Sequence, residues 1–445
     1  MSAGYVSSSE VAILNNGNSF VFHNSGIVTS VTNFVLLVLG DDAQIDNSGT
    51  IQGANGINAT GFATNLINSG TITGNAAVTL TGAGAVVLNA GSILGQGTAI
   101  IITGDSAVVH NVTGATLASR VGNTAMLIGT LGFLFNEGAV SGGGVRSTGD
   151  GFLLRNSGDI SGGDFGYMAA NGGLVGTNEI IVDNSGSITG TAGGISNDMQ
   201  LIHLHNTGSI LAENGSGVVS GGVADIYNTG TIGGASGFGV IGLSLQLGLG
   251  ADTVRNFGIL HGDAQLGGGN DFLRNGGTVD GSAQLGDGND SYVGRGGSLD
   301  GLVFGNNGND TITGGLADDF FDGGAVTDVL KGFAGDDSLR GGSNADTLTG
   351  GAGADQFIYV SSAEIGRTGA RETITDFNHL SDQIVLSSFM AGGSFIGAAA
   401  FTAANQVRYT VAAGLVEGDV NGDAISDWAL LLSTKPLLTA TDFIF

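Results

Sequence analysis

The sequence predicts an all-β solenoid. A parallel β-helix over residues 1–245 continues into a β-roll over 246–358, capped by a small β-rich module over 359–445. Three observations carry this reading. An Asn-Gly phrase returns at intervals near 22 residues through the first half, and a nine-residue Gly-Asp phrase repeats without a gap in the second. The composition is the third: 85 Gly, one Pro and no Cys in 445 residues, with the apolar content carried mostly by Val, Ile, Leu and Ala. Small and β-branched residues between frequent turn residues suit short strands, and self-similarity at a fixed period marks stacked repeats.

The first element rests on N-[ST]-G-x-[IV]. It reads "NSGTI" at Asn47 and Asn68, "NSGDI" at Asn156, "NSGSI" at Asn184, "NTGSI" at Asn206 and "NTGTI" at Asn228, with looser copies at Asn89 and Asn136. Steps are mostly 20 to 22 residues, with one of 47 between Asn89 and Asn136 and two of 28, the second leading on from Asn228 to Asn256. Between copies lie short alternating strands such as "AVVLN" and "LIHLHN". One such rung cannot bury its apolar face, but a stack can. Each rung then holds two or three strands. Asn and Gly both tolerate left-handed backbone, so the phrase is expected at a tight left-handed corner, with the stacked Asn side chains bonded as a ladder. A structural role for these Asn residues outweighs a binding role.

In the second element the phrase changes. Between Gln246 and Ile358 there are 16 Asp, no Glu and five Lys or Arg. Asp252, Asp271, Asp290 and Asp310 follow at steps of 19, 19 and 20. Six contiguous nonapeptides then begin at Gly305, Gly314, Gly323, Gly332, Gly341 and Gly350. Their sixth position is always Asp (Asp310, Asp319, Asp328, Asp337, Asp346, Asp355) and their eighth is always apolar. Ca²⁺ takes six to eight oxygens in flexible geometry, and a Gly-rich turn offers unobstructed carbonyls beside a carboxylate. These repeats resemble the nonapeptide G-G-x-G-x-D-x-U-x of RTX (repeats-in-toxin) proteins, which implies a calcium β-roll. Two nonapeptides make one flattened coil, so turns 18 residues apart stack with ions between them.

On this reading Asp310, Asp328 and Asp346 share one edge with Asp252, Asp271 and Asp290, while Asp319, Asp337 and Asp355 share the other. The candidate ligands of multiple Ca²⁺ ions are these nine Asp with Gly269, Gly288, Gly305, Gly308, Gly335 and Gly353. Opposite Asp252–Asp290 the corners still read "RNFGIL", "RNGGTVDG" and "GRGGSLDG". The helix therefore converts gradually into the roll, with ion sites beginning on one edge; the bland alternative there is ordinary Gly-Asn turns. Ala317, Val326 and Asn344 replace the fourth-position Gly and are expected to weaken their turns. Asp287 lies outside the consensus and is read as facing solvent.

In the third element, "ETITDFNHLSDQIVLSSF" from Glu372 and "LVEGDVNGDAISDWALLL" from Leu415 resemble the segment after the repeats of serralysin-type proteases. The tail "LTATDFIF" resembles that of type I secretion substrates. The resemblance implies export through type I secretion machinery by an uncleaved C-terminal signal, folding by calcium outside, and a Gram-negative source. "MSAGYVSSSEVAILNN" shows no basic-then-apolar leader, in agreement. Asp419, Asn421, Asp423 and Asp427 have EF-hand-like spacing, but Leu430 stands where Glu closes such a loop; a plain turn between strands is the alternative.

The formal charge of −27 argues against nucleic-acid binding, and no apolar run reaches membrane-spanning length. The protease motif H-E-x-x-H is missing: none of His23, His110, His203, His205, His261 and His379 precedes Glu. His203 and His205 would share a strand face, more as a structural pair than as metal ligands. "GAGAVV" and "GGLVG" read as rung turns rather than dinucleotide fingerprints. The expectation is a secreted or cell-surface, noncatalytic structural or adhesin-like protein, with surface polysaccharide or its own copies as candidate partners. The alternative is a polysaccharide lyase or epimerase. It finds no Lys and only Arg120, Arg146 and Arg155 in residues 1–245, and no dense His/Asp/Arg cluster is evident along the chain. An autotransporter passenger would need a barrel that the last 90 residues cannot supply.

Overall fold

The computed structural model describes residues 5–7, 11–120, 123–148, 151–169, 179–198, 201–234, 243–367 and 370–445. "GGLVG" at 172–176 lies outside them. The chain divides into two units, Met1–Leu247 and Gly248–Phe445, and each is a parallel β-solenoid.

In Met1–Leu247 a coil has three legs. Gln44–Asn47 forms one face, and Thr50–Ala59 turns midway to form two more. Later coils break at that bend into separate strands, such as Ala139–Ser141 and Val145–Ser147. Coils stack in parallel register: Ile45 pairs with Leu66, Leu66 with Val87, Val87 with Val109 and Val109 with Leu134. All five are fully buried. The apolar residue that ends each N-[ST]-G-x-[IV] phrase lines the next leg's interior, as Ile51, Ile72, Ile188, Ile210 and Ile232 do. Period-2 alternation thus builds the core leg by leg, and each coil buries the face its neighbour exposes.

The Asn ladder forms without a break among the described residues. Asn24, Asn47, Asn68, Asn89, Asn111, Asn136, Asn156, Asn184, Asn206 and Asn228 each pass a side-chain N–H to the Oδ1 of the next at 2.7–2.8 Å. Each is at most 3% exposed. The same amide also donates to a carbonyl two residues on, as Asn47 does to Gly49 at 3.2 Å. Asn24 opens the ladder with the phrase "NSGIV", and Asn111 joins it from "NVTG", which has one residue more.

The expected left-handed Asn-Gly corner is not what forms. The ladder Asn residues do not have positive φ. The following Gly is required for a different reason: a Cβ at Gly49, Gly70, Gly186, Gly208 or Gly230 would collide with the carbonyl oxygen of the equivalent Gly one coil below. The left-handed column lies at another corner, at Ser19, Asp42, Ala63, Gly84, Ser106 and Leu131, with φ between 51° and 71°. Their N–H groups bond to the coil above, as Asp42 does to the Phe62 carbonyl at 2.9 Å. These side chains point outward, so varied residues occupy the corner and it leaves no sequence signature.

In Gly248–Phe445 the strand after each first-edge Asp stacks in one column: Thr253, Phe272, Ser291, Thr311, Val329, Thr347 and Thr373 pair in succession. The second edge stacks Phe321, Leu339, Phe357 and Ile384. Every eighth-position residue (Ile312, Phe321, Leu330, Leu339, Leu348, Phe357) is buried. Beyond the repeats, Thr373–Ile374 and Gln383–Val385 continue the two columns. A meander of Gln406–Thr410, Leu415–Asp419 and Trp428–Leu432 packs on the end around buried Trp428. No described helix is long and apolar enough to cross a membrane.

Asn111→Ala removes one rung from the amide ladder and strands the Asn136 carbonyl oxygen in a dry interior. Thermal unfolding followed by circular dichroism should show a loss of about 2–4 kcal/mol, the cost of one or two unmet buried polar groups.

Candidate metal centre

The sixth-position Asp residues form two columns with one repeated geometry. On the first edge the backbone N–H of Asp252 donates to Oδ1 of Asp271 at 2.7 Å. Asp271 donates likewise to Asp290, Asp290 to Asp310, Asp310 to Asp328 and Asp328 to Asp346, at 2.7–2.8 Å. On the second edge Asp319 donates to Asp337 at 2.8 Å and Asp337 to Asp355 at 3.0 Å. In return the Asp carbonyl accepts from the coil above, as Asp310 does from Val329 N–H at 2.8 Å. Apart from Asp319, each Asp that accepts in this way is fixed by backbone on both sides, and its second carboxylate oxygen is left over.

That second oxygen is the central feature of the site. Oδ2 of Asp252, Asp271, Asp290, Asp310, Asp328, Asp337, Asp346 and Asp355 is buried and has no hydrogen-bond partner. These residues are at most 2% exposed. An unmet buried carboxylate oxygen is costly, and paired charges or metal coordination are the usual remedies. The first-position glycines complete the setting. A Cβ at Gly305, Gly314, Gly323, Gly332, Gly341 or Gly350 would overlap the Oδ2 of its own repeat's Asp, and at Gly305, Gly314, Gly323 and Gly332 also the carbonyl of the Gly one coil above. The cradle is therefore lined by oxygen and kept open by missing side chains. Among the described residues no three acidic or histidine side chains converge on one point, so backbone carbonyls must supply most of a cation's shell. A hard cation that favours oxygen, such as Ca²⁺, fits this donor set.

Gly269, Gly288, Gly308, Gly335 and Gly353 all have positive φ, from 120° to 151°, and a Cβ on any of them would strike backbone one coil below. Val326 and Asn344 hold the equivalent place with φ of 86° and 85°, a region that costs a side chain energy. Ala317 does not enter it. Its turn differs in another way: Gly315 N–H donates to Oδ2 of Asp319 at 2.9 Å, and Asp319 is only partly buried. This turn starts the second column, and its carboxylate is already satisfied.

Two further acids end the columns. Asp346 N–H donates to Glu372 Oε1, and Asp355 N–H to Asp382 Oδ1, both at 3.2 Å. Glu372 is fully buried with Oε2 unpartnered. Sequence reading missed both because they lie past the last nonapeptide; the surviving signal is an acid followed by an alternating strand. A second, exposed ladder runs beside the first column: Asn289 N–H donates to Asn270 Oδ1, Asn309 to Asn289 and Thr327 to Asn309, at 2.8–3.2 Å. It points the opposite way along the stack, which gives the fifth-position Asn a structural role. Asp287 is exposed and accepts from Asn307 Nδ2 at 2.7 Å. Opposite the first column, Asn256 still donates to Asn275 at 2.9 Å, so carboxylate and amide corners coexist on the same coils.

The Asp419–Asp427 segment forms the hairpin turn. Both Asp419 oxygens accept loop N–H groups, from Gly422 at 2.6 Å and Ala424 at 2.9 Å, and Asp427 accepts from Val420 at 2.7 Å. The acceptors are committed to the turn itself.

Without an ion the columns resist ionising. Burial, followed by the charge of neighbouring Asp residues, pushes Asp271, Asp328 and Asp337 up to about 7 and Asp310 and Asp355 up to about 6, against the pull of the N–H donors. Burial raises Asp290 and Asp319 as well. Burial, first of all, raises Asp346 and Glu372 too.

A carboxyl whose folded value lies above its unfolded one stabilises the fold below the unfolded value. It loses that contribution as pH rises through the folded value. Ion-stripped protein should therefore melt higher near pH 5 than near pH 8 for Gly248–Phe445. Saturating calcium should reverse the order, because ions need the deprotonated ligands. Thermal melts at the two pH values, with and without calcium, check this. In a calcium titration, Asp328→Asn should raise the midpoint about tenfold, equivalent to about 1.4 kcal/mol, whereas Asp319→Asn should shift it far less.

No curated protein matches the chain. The family model of the RTX calcium-binding nonapeptide repeat does match, in four copies, over residues 295–330 and 331–359; that stretch of the chain is an RTX calcium-binding repeat array.

Proposed function

We propose that this chain is a secreted, noncatalytic structural or adhesin-like protein of the cell surface or matrix, whose Gly248–Phe445 unit folds on Ca²⁺ after export. The observation that carries the reading is the pair of buried Asp columns with unpartnered Oδ2 atoms. Such sites do not exist in the unfolded chain, so ion binding adds directly to folding free energy. Extracellular modules of this kind bind calcium at roughly 10⁻⁴ to 10⁻³ M, which leaves that unit unfolded inside a cell and folds it outside.

The resemblance of the C-terminal segment to serralysin-type and type I secretion sequences supports export by that route. The tail's packing is compatible with it. Phe443 is 6% exposed, stacks on Phe395 at 5.0 Å and pairs its strand with Gln383–Val385. A receptor for this segment would meet it before folding.

For the alternative, an enzyme on acidic polysaccharide, the structure adds one observation. Residues far apart in sequence do gather on the outward face of Met1–Leu247. Arg155 meets Asp183 at 3.3 Å, and His203 stands between Glu179 at 3.2 Å and Asp225 at 3.3 Å. Stacking at the coil period brings these residues together in two surface ion-pair groups, one on Arg155 and one on His203. Their charge is nonetheless mainly acidic, and that supports the noncatalytic reading over a lyase or epimerase that must hold an anionic polymer.

Circular dichroism of the ion-stripped chain under a calcium titration tests the proposal. A cooperative gain of β signal between about 0.1 and 1 mM calcium is expected. A full β spectrum that chelator leaves unchanged contradicts it.

A further inference from the structure

The outward side of the Asn-ladder corner in Met1–Leu247 is a trough. Its floor here is the residue after each ladder Asn: small at Ser157, Ser185 and Thr207, and Glu137 at the Asn136 end. Its flank is the residue before each ladder Asn: Phe135, Arg155, Asp183 and His205 pair in register on successive coils, and Tyr227 follows. The open volume over this part is about 340 Å³, within the range of ligand sites. A second stretch of the same trough, about 440 Å³, lies over Ser25, Ser48 and Ser69 beside His23 and Asp46. The groove thus follows the stacking direction and recurs along it, which suits a linear polymer more than a compact ligand.

The flank alternates ring faces with hydrogen-bonding groups. The Arg155 guanidinium lies 6.0 Å from the Phe135 ring centre and 3.3 Å from Asp183, and the His205 ring lies 5.3 Å from Tyr227. From Phe135 to Tyr227 is four coil steps, about 19 Å at the usual strand spacing. A peptide has no strand edge to join here, because the parallel pairing between coils uses the backbone groups of these strands. Nucleic acid and acidic glycans meet the wrong charge: Asp183 pairs with Arg155, Glu137 lines the same trough, and Glu179 and Asp225 flank His203 on the same outward face, on a chain of net charge −27. Rings that accept C–H faces, and a row of hydroxyls, carboxylates and imidazoles that exchange hydrogen bonds with hydroxyl groups, match an uncharged sugar chain.

We propose that this trough binds a linear neutral polysaccharide along the solenoid axis, with Phe135 and Tyr227 as stacking platforms and Arg155, Asp183 and His205 as hydrogen-bonding groups. The site is separate from the Asp columns and goes beyond the calcium-folding reading.

Affinity electrophoresis of the full chain in calcium tests it, in gels containing a mixed-linkage β-glucan, a galactomannan, a dextran or polygalacturonate. Retardation by at least one neutral polymer is expected. Phe135→Ala, and Ser185→Phe, which fills the trough from an outward position, should each weaken binding at least tenfold. Phe62→Ala, 63% exposed at a different corner, should bind like the parent. Circular dichroism of each variant in calcium establishes that it is folded, so a failure of calcium folding is seen separately from a failure of binding. The proposal is overturned if no neutral polymer retards the chain, if only polygalacturonate does, or if Ser185→Phe binds like the parent.

Discussion

A carboxylate oxygen buried without a partner, repeated once per turn, is the constraint on which Gly248–Phe445 depends. The backbone satisfies one oxygen of each Asp and holds it in line; the other faces a cradle of carbonyls and carboxylates. Left as it is, the column resists ionising. Given a hard cation, the same geometry becomes a ligand set. The glycines follow from this, because a Cβ at the first position would occupy the cradle and a Cβ on Gly308, Gly335 or Gly353 would strike the coil below. The inward eighth-position residues follow as well, since they anchor the short strands that hold each turn in register.

Met1–Leu247 solves the same corner problem with a neutral group. Asn carries donor and acceptor on one side chain, so each ladder member satisfies its neighbours and needs no ion. Asp has acceptors only once ionised. Replacing Asn by Asp at a stacked corner therefore exchanges a self-sufficient ladder for one that requires a cation. The coils at Asp271 and Asn275 carry one corner of each kind, so the two solutions are compatible with one coil geometry.

Much of this was legible in the sequence where the period was regular. Sixth-position Asp and eighth-position apolar residues recur at 18 residues per coil, and the structure places them as that spacing requires. Asn111 escaped because "NVTG" inserts a residue into the phrase, whereas Asn24 carries the full phrase in "NSGIV". Glu372 and Asp382 escaped because the period ends before them. The left-handed corner left no trace because its side chains face solvent and any residue serves. The groove from Phe135 to Tyr227 escaped because stacking, not sequence adjacency, assembles it; only the in-register pairing shows that residues about 22 positions apart are neighbours.

The most direct measurement is an anomalous difference map from crystals of Gly248–Phe445, or of the whole chain, grown in calcium. The account predicts peaks beside Oδ2 of Asp271, Asp290, Asp310, Asp328 and Asp346 on one edge and of Asp337 and Asp355 on the other. A folded roll with those carboxylates ordered and no peak beside them would contradict it.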